Sequence, residues 1–417
     1  MARSRVATLA ACIGGVLTCQ VHSSAQAQSP QPQAAAPATL SLSDAMSRAL
    51  EANRTVLAAR TARPIDVAGI AVAGQRPNPD VSFEYARETP HWAFMGTLPL
   101  EISGKRRARV DVANATLAVT DAETARITAD VRADVRRAYY QAVAATRRIT
   151  ITQELEAIAT RLRDAAQDRF QTGAAPRLES LQASLALAQA QNEATTARGD
   201  LAAARTELNA LLAYPATAAP SLGDPLEVGP LPTEAAVLEQ TIAANAELQV
   251  LQKRIDEARA RVALARANRR PDPSLTGAIT YDAPGEFVYG WRAGAAIALP
   301  IFTTGRPEVR VAEATLAKAV ADRDARVAQI SGAVVAALAR ATAARQSVER
   351  YQREILPASR QVEQMAEESY RAGQTGLPAY LQTVQTARDA RQRALQAGLD
   401  YQLALADLER AMGTPLR

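Results

Sequence analysis

LPLEISGKRRARVDVANATL, residues 98–117, joins two kinds of secondary structure within one short stretch. Leu98, Leu100 and Ile102 alternate with other residues, the period of a strand with one face against an apolar medium. A glycine turn follows at Gly104. From Lys105 the spacing becomes helical, with Val110, Ala113 and Leu117 on one face among Arg109, Asp111 and Asn114. The transition recurs as LPIFTTGRPEVRVAEATL, residues 299–316, with the proline, the glycine, a basic residue and V-A-x-A-T-L retained. One function should explain both copies.

Upstream of the first copy, Asp80 to Arg87 alternates, with Val81, Phe83 and Tyr85 on one face and Ser82, Glu84 and Ala86 on the other. Thr89-Pro90-His91 marks a turn, and Trp92 to Ile102 is the expected returning strand. Such a length crosses a bilayer when tilted. Before the hairpin, Ser41 or Ser43 can cap a helix with Leu42, Ala45, Met46, Ala49 and Leu50 at helical spacing. Pro64 is expected to kink or interrupt it before it resumes towards Ala73, and Arg76-Pro-Asn-Pro79 stops it. Downstream of Gly104 the helical pattern meets no proline or glycine until Gly173, which at ~1.5 Å per residue spans on the order of 100 Å. No globular domain needs such a helix. A second helix returns from about Arg177 to Leu212, and a Pro- and Gly-rich linker covers 216–232.

The second half replays the first. ALEANRTV (49–56) corresponds to TIAANAEL (241–248), RPNPDVSFEYA (76–86) to RRPDPSLTGAITYD (269–282), and DRFQTG (168–173) to ESYRAG (368–373). The expected organisation is a first repeat over 39–215 with its hairpin at about 80–102, and a second over 233–417 with its hairpin at about 274–301, the returning strand there being Tyr289 to Ile301. Each repeat reads as helix, hairpin, very long helix, tight turn and shorter helix.

Arg3 and Arg5, the apolar run Val6 to Leu17 and Ala25-Gln26-Ala27 read as a signal peptide, 1–27, cleaved after Ala27. A Pro- and Gln-rich leader fills 28–38. Leu9-Ala-Ala-Cys12 also resembles a lipobox, leaving Cys12, or Cys19, as a site of lipidation in place of that cleavage. Cleavage would remove both cysteines and leave 46 basic against 43 acidic residues, a formal +3. So even a balance does not describe a nucleic-acid surface. Beyond the signal no run approaches the ~18 apolar residues of a spanning helix. Only 4% of residues are aromatic, which suits long, closely packed, alanine-rich helices better than a large globular core.

Those aromatics are concentrated. Phe83, Tyr85, Trp92, Phe94, Tyr281, Phe287, Tyr289, Trp291 and Phe302 all lie in the two hairpin segments. Ser82, Glu84, Thr97, Glu101, Ser274, Thr276 and Thr280 occupy the other face. Apolar outside and polar inside, with aromatics at strand ends, is how a transmembrane barrel partitions between lipid and a wet lumen. Four strands cannot close a barrel, and open strand edges in lipid cost several kcal/mol per unpaired peptide group. The chain is therefore expected to oligomerise, three copies giving twelve strands.

The duplicated order, Pro77-Asn-Pro79 and Pro271-Asp-Pro273 before the hairpins, and the tips Arg169-Phe170-Gln-Thr-Gly173 and Tyr370-Arg-Ala-Gly373 resemble the TolC-like outer-membrane factors over essentially the whole mature length. PNPDVSFEYAR with LPLEISGKRRARV is similar to the heavy-metal (CzcC-like) branch, with Ser103 replacing the first glycine of its I/L-E-x-G-G-K-R segment. The resemblance implies a mainly α fold with a membrane β-barrel portion, a homotrimer carrying a 12-stranded barrel on a long α-helical tunnel. It further implies residence in the outer membrane of a Gram-negative bacterium, with a periplasmic adaptor and an inner-membrane, proton-driven RND-type transporter as partners. Metal cations are the cargo it points to, with drug efflux or type I secretion as alternatives.

Under the resemblance, Phe170, Gly173, Tyr370 and Gly373 would meet the adaptor; plain helix termination explains the glycines equally. Relatives place acidic residues six and nine positions past the second tip glycine. Here those are Ala379 and Gln382, and the first tip has Glu179 and Gln182, so Glu179, Gln182 and Gln382 are the gate candidates. Glu179→Ala would then lower cation selectivity. Lys105, Arg106, Arg107, Trp92 and Trp291 are expected at the membrane interface. With only His22 and His91 and no mature cysteine, neither a zinc cluster nor a His-based triad can be assembled, so no enzyme, cofactor or metal site is expected. A periplasmic or surface coiled-coil scaffold or adhesion protein is the competing reading, but a scaffold has no use for lipid-facing hairpins.

Overall fold

The computed structural model describes residues 39–416; the expected signal segment, both cysteines and the leader 28–38 lie outside them. β1 (Thr39–Leu40) leads into α1 (Leu42–Ala52), α2 (Arg54–Arg60) and α3 (Ala62–Ala73). Ser41 caps α1 in a capping box with Asp44, the Asp44 N–H donating to Ser41 Oγ at 3.2 Å and the Ser41 N–H to Asp44 at 3.3 Å. The helix is interrupted next to Pro64, as expected, and resumes to Ala73. The helix breaks at Asn53 and Thr61, whereas Pro64 falls in the first turn of α3, where a missing N–H loses no intrahelical bond.

Asn53 is nearly fully buried, its Oδ1 accepting from Thr55 and Val56 N–H while its Nδ2 donates to the Leu211 carbonyl. The second half repeats the device. Between α6 (Glu234–Ala244) and α7 (Ala246–Asn268), Asn245 accepts from Leu248 N–H and donates to the Ala411 and Met412 carbonyls. Each Asn thus starts one helix and ties it to the end of another, α5 (Arg177–Leu212) or α10 (Leu377–Met412).

Beyond α3 come β2 (Asp80–Tyr85), β3 (Trp92–Pro99) and the 67-residue helix α4 (Lys105–Gln171); the second half supplies β5 (Pro273–Ala283), β6 (Phe287–Ile297) and α8 (Arg306–Arg350). Both returning strands end earlier than expected, at Pro99 and Ile297 in place of Ile102 and Ile301. Pro99 carries no N–H for a ladder, and after one further bond from Leu100 N–H to the Pro273 carbonyl the chain turns into α4, while β6 ends opposite Pro273, where its partner β5 begins. The two hairpins form one antiparallel sheet, in the order β2-β3-β5-β6.

Register assigns the faces. Phe83, Phe94, Ile279 and Trp291 lie in one row across the four strands, and Tyr85, Trp92, Tyr281 and Tyr289 in the next. Val81, Leu98, Leu275 and Ile297 extend this face, which is apolar throughout and exposed. Trp92 packs its ring 4.5 Å from Tyr85 and 5.3 Å from Phe83. The opposite face has Ser82, Met95, Ala278 and Arg292 in one row and Glu84, Ala93, Thr280 and Gly290 in the next. β2 and β6 each leave one edge unpaired within the chain.

The second long helix departs from the first. Tyr351–Ile355 is a π-helical turn between α8 and α9 (Leu356–Arg371), where the Leu356 N–H bonds back to the Tyr351 carbonyl. Pro357 is the cause, because its ring would clash with the carbonyl four residues earlier and it has no N–H to donate. The span Arg306–Arg371 also contains a window long and apolar enough to cross a membrane by composition, which corrects the expectation that no such run exists. Within the fold its Ile330, Val334, Ala337 and Leu338 pack with Leu408 and Met412 of α10.

The segment 213–232 is strapped to the helices rather than free. β4 (Ser221–Leu222) pairs with β1, Gln402 Nε2 donates to the Glu227 carbonyl at 2.7 Å, and Tyr401 OH to the Gly229 carbonyl at 3.0 Å. Tyr139, fully buried, donates its OH to the Leu40 carbonyl at 2.9 Å and accepts from Asp224 N–H at 3.3 Å. Burial pushes its phenol up to about 12. A phenol raised in the folded state stabilises below its ordinary value near 10 and loses that contribution as pH climbs toward 12. Tyr139→Phe is therefore expected to cost about 1–3 kcal/mol near neutrality, and to flatten the fall in thermal stability between pH 10 and 12 followed by circular dichroism.

Candidate functional site

Two places collect the residues singled out from sequence: the joint where strands become helices, and the tip where long helices reverse. At the joint Gly104 and Gly305 both adopt left-handed backbone, φ +77° and +64°, immediately before α4 and α8. Glycine is needed there, since other residues are strained in that region. At Gly305 a Cβ would also lie 2.7 Å from Arg269 Cγ.

The basic run after Gly104 makes internal contacts. Lys105 Nζ pairs with Asp272 at 2.8 Å, and both side chains are mostly buried. Arg106 Nε donates to the Gly74 carbonyl at 2.5 Å. Arg109, which its place on the helix in the sequence did not mark as functional, donates to the Ala73 and Gln75 carbonyls and forms a bidentate pair with Glu101. These arginines satisfy the open carbonyls at the C-terminus of α3, where positive charge is also favoured by the helix dipole. The Arg109 hydrogen bonds hold the Glu101 carboxyl below the usual carboxylate range. Arg107 remains exposed, and Trp92 and Trp291 lie on the apolar sheet face.

At the second joint Phe302 occupies the place of Glu101 and is almost wholly exposed. That joint lacks the carboxylate clamp. The two copies are thus built alike in backbone and unlike in charge.

At the tip Gly173 and Gly373 have φ +76° and +73°, and their N–H groups donate to the Phe170 and Tyr370 carbonyls at 3.0 Å. This is helix termination by left-handed glycine. Ala166 of α4, Ala183 of α5 and Leu377 of α10 form a small buried cluster, with Leu162, Tyr370 and Leu381 against it. The Tyr370 ring stacks on Tyr380 with centroids 5.1 Å apart.

Glu179 sits in the middle of this arrangement. Its Oε1 accepts from Arg169 at 2.7 Å and from Tyr370 OH at 3.5 Å, and its side chain is only 14% exposed. It therefore ties the α4–α5 arm to the α9–α10 arm, and its charge is engaged by Arg169 within the chain. Gln182 is half-buried and Gln382 exposed. Phe170 is 38% exposed. Sequence reading missed further ties: Arg388 to Glu193 at 2.6 Å, and Arg391 to Glu363 and Glu154. They join residues far apart in sequence, and no local spacing marks them.

A half-exposed ion pair contributes about 1 kcal/mol or less and the tyrosine bond about as much again. Glu179→Ala should accordingly raise amide exchange in 169–180 and 370–377 about tenfold, leaving 130–145 unchanged, by hydrogen–deuterium mass spectrometry.

The arrangement has close counterparts. Residues 45–213 and 237–414 match the family described as outer membrane efflux protein. The chain is 25% identical over 385 residues to the cobalt-zinc-cadmium resistance protein CzcC of Cupriavidus metallidurans, covering 91% of each. Among solved structures, a membrane protein from Pseudomonas aeruginosa superposes with a TM-score of 0.75 at 21% identity over 89% of this chain and 93% of that one. CusC gives 0.73 at 18% identity over 89% and 92%. The open-state MtrE outer membrane channel of Neisseria gonorrhoeae gives 0.73 at 20% over 89% of both. With a match that takes in both halves of the molecule, the chain belongs to the outer membrane efflux protein family.

Proposed function

We propose that three copies of this outer-membrane protein close a 12-stranded barrel on a helical tunnel and that the assembly is the passive exit duct of a tripartite metal-cation efflux system. The observation that carries this reading is the sheet. One face is apolar and exposed from Val81 to Ile297, the other is mostly small or polar, and β2 and β6 each leave one edge unpaired within the chain. Lipid suits the first face and water the second, and an edge can stay in hydrocarbon only if another strand completes its hydrogen bonds. The helical layer supports the same closure: α3 and α8, which adjoin the two edge strands in sequence, carry exposed Ile65, Val72 and Val311.

Metal cations are chosen as cargo because of the resemblance to CzcC. A periplasmic adaptor and an RND-type inner-membrane transporter would supply contact and energy, the adaptor meeting the tips around Phe170, Gly173, Tyr370 and Gly373. No catalytic role is assigned. Lys105 and Arg106 are given the task of fixing the collar, and Arg107, Trp92 and Trp291 that of meeting the membrane interface. Glu179, engaged by Arg169 and Tyr370, is assigned to holding the tip together and not to ion selection.

Purified protein in planar bilayers should give discrete conductance steps, and Glu179→Ala should raise the open probability with cation selectivity unchanged. Absence of any conductance would sink the duct. Deletion of the gene should lower tolerance to cobalt, zinc or cadmium; unchanged tolerance to all three with lost resistance to organic toxicants would redirect the cargo.

A further inference from the structure

We infer that the cleft between the two repeats, over the middle of α4, binds a single-chain amphiphile with an anionic head group, of the fatty-acid type. The cleft has a volume of about 810 Å³, within the roughly 300–1,000 Å³ of pockets that enclose small organic ligands. One wall is α1 with the end of α2, from the first repeat, and the other is the α6–α7 junction with the segment after α10, from the second. Ala125, Ala129 and Ala133 recur at helical spacing along the floor, and their short side chains leave the space open. Leu42, Met46 and Leu416 border it from the walls. An alkyl chain suits these surfaces.

The charges around the cleft do not balance. Arg60, Arg132 and Arg136 line it together with Asp121 and Glu409. Glu409 is taken by Arg136 at 2.8 Å, and Asp121 by Arg63 at 3.1 Å. Arg60 donates to the Leu50 carbonyl at 3.0 Å and meets no carboxylate. Half-buried Arg132, one turn before Arg136, makes no ion pair or side-chain hydrogen bond among the described residues. The Nε of Arg136 is buried and also has no partner. Buried donors left in this state are costly. A carboxylate entering the cleft would accept charge-assisted hydrogen bonds that nothing in the chain now takes up.

Position decides the source of the ligand. Asp121 to Arg136 lie 16 to 31 residues beyond Lys105 on α4, roughly 24–46 Å from the joint at ~1.5 Å per residue. Lipid around the sheet does not reach so far, and the amphiphile arrives from water. The cleft is complete within one chain, so the site does not depend on closure of the ring. Its occupant touches both repeats at once.

The test titrates dansyl-labelled undecanoate by fluorescence into the full chain held in phosphatidylcholine nanodiscs, with empty nanodiscs subtracted. The expected result is saturable binding of one probe per chain, reversed by dodecanoate and not by dodecyltrimethylammonium. Arg132→Gln and Arg60→Gln should each weaken binding about tenfold, and Ala129→Trp, which fills the floor, should abolish it. Arg147→Gln, an exposed position further along α4, should leave it unchanged. Circular dichroism melts restrict the comparison to variants that fold like the parent. Absence of saturable binding overturns the proposal, as does binding that both Arg→Gln variants leave intact or that the cationic chain displaces equally well. Displacement by phosphatidic acid and not by dodecanoate also overturns it, because the cleft would then belong to a phospholipid.

Discussion

The constraint on which the fold depends is that peptide groups cannot be left without partners in hydrocarbon. The apolar face from Val81 to Ile297 is made for lipid, and it ends on both sides in strands with one unpaired edge, β2 and β6. Within the chain, pairing of β3 with β5 already joins the two hairpins, so the duplication has solved half of the edge problem. In the proposed ring the remaining half is met by another chain. The same requirement there extends down to α3 and α8.

Duplication gave the chain two hairpins and two long helices, but the copies have diverged where they carry load. The first joint is clamped by Glu101 and Arg109 around the end of α3, and the second has Phe302 in the corresponding place. α4 runs unbroken for 67 residues, whereas its counterpart passes Pro357 through a π-turn. Below that turn α9 buries nothing of its own. The Glu179 tie and the contacts of Arg388 to Glu193 and Arg391 to Glu154 hold the second arm to the first. These polar contacts, each of about 1 kcal/mol, thus add to the small apolar cluster of Ala166, Ala183 and Leu377 that joins the arms.

Strand faces were legible because alternation is local: Val81, Phe83 and Tyr85 declare their side without knowledge of the fold. The long helices were legible for the same reason. What escaped was set by partners remote in sequence. Glu179 could be picked out by its distance from a tip glycine, yet its pairing depends on Tyr370, 191 residues away. Lys105 and Arg106 looked like cations for a lipid surface, and it is Asp272 and the end of α3 that take them up. Asn53 and Asn245 were visible as matching letters of the repeat, but their grip on α5 and α10 forms only once those helices return beside them.

The central claim is that edge strands of neighbouring copies complete one another. Electron cryomicroscopy of the detergent-extracted protein tests it most directly. The account predicts three copies around one axis, with β6 of each hydrogen-bonded to β2 of the next in a closed barrel of twelve strands and a continuous bore. A monomer whose four-stranded sheet keeps both edges free, or a ring closed through any other pair of strands, would contradict it.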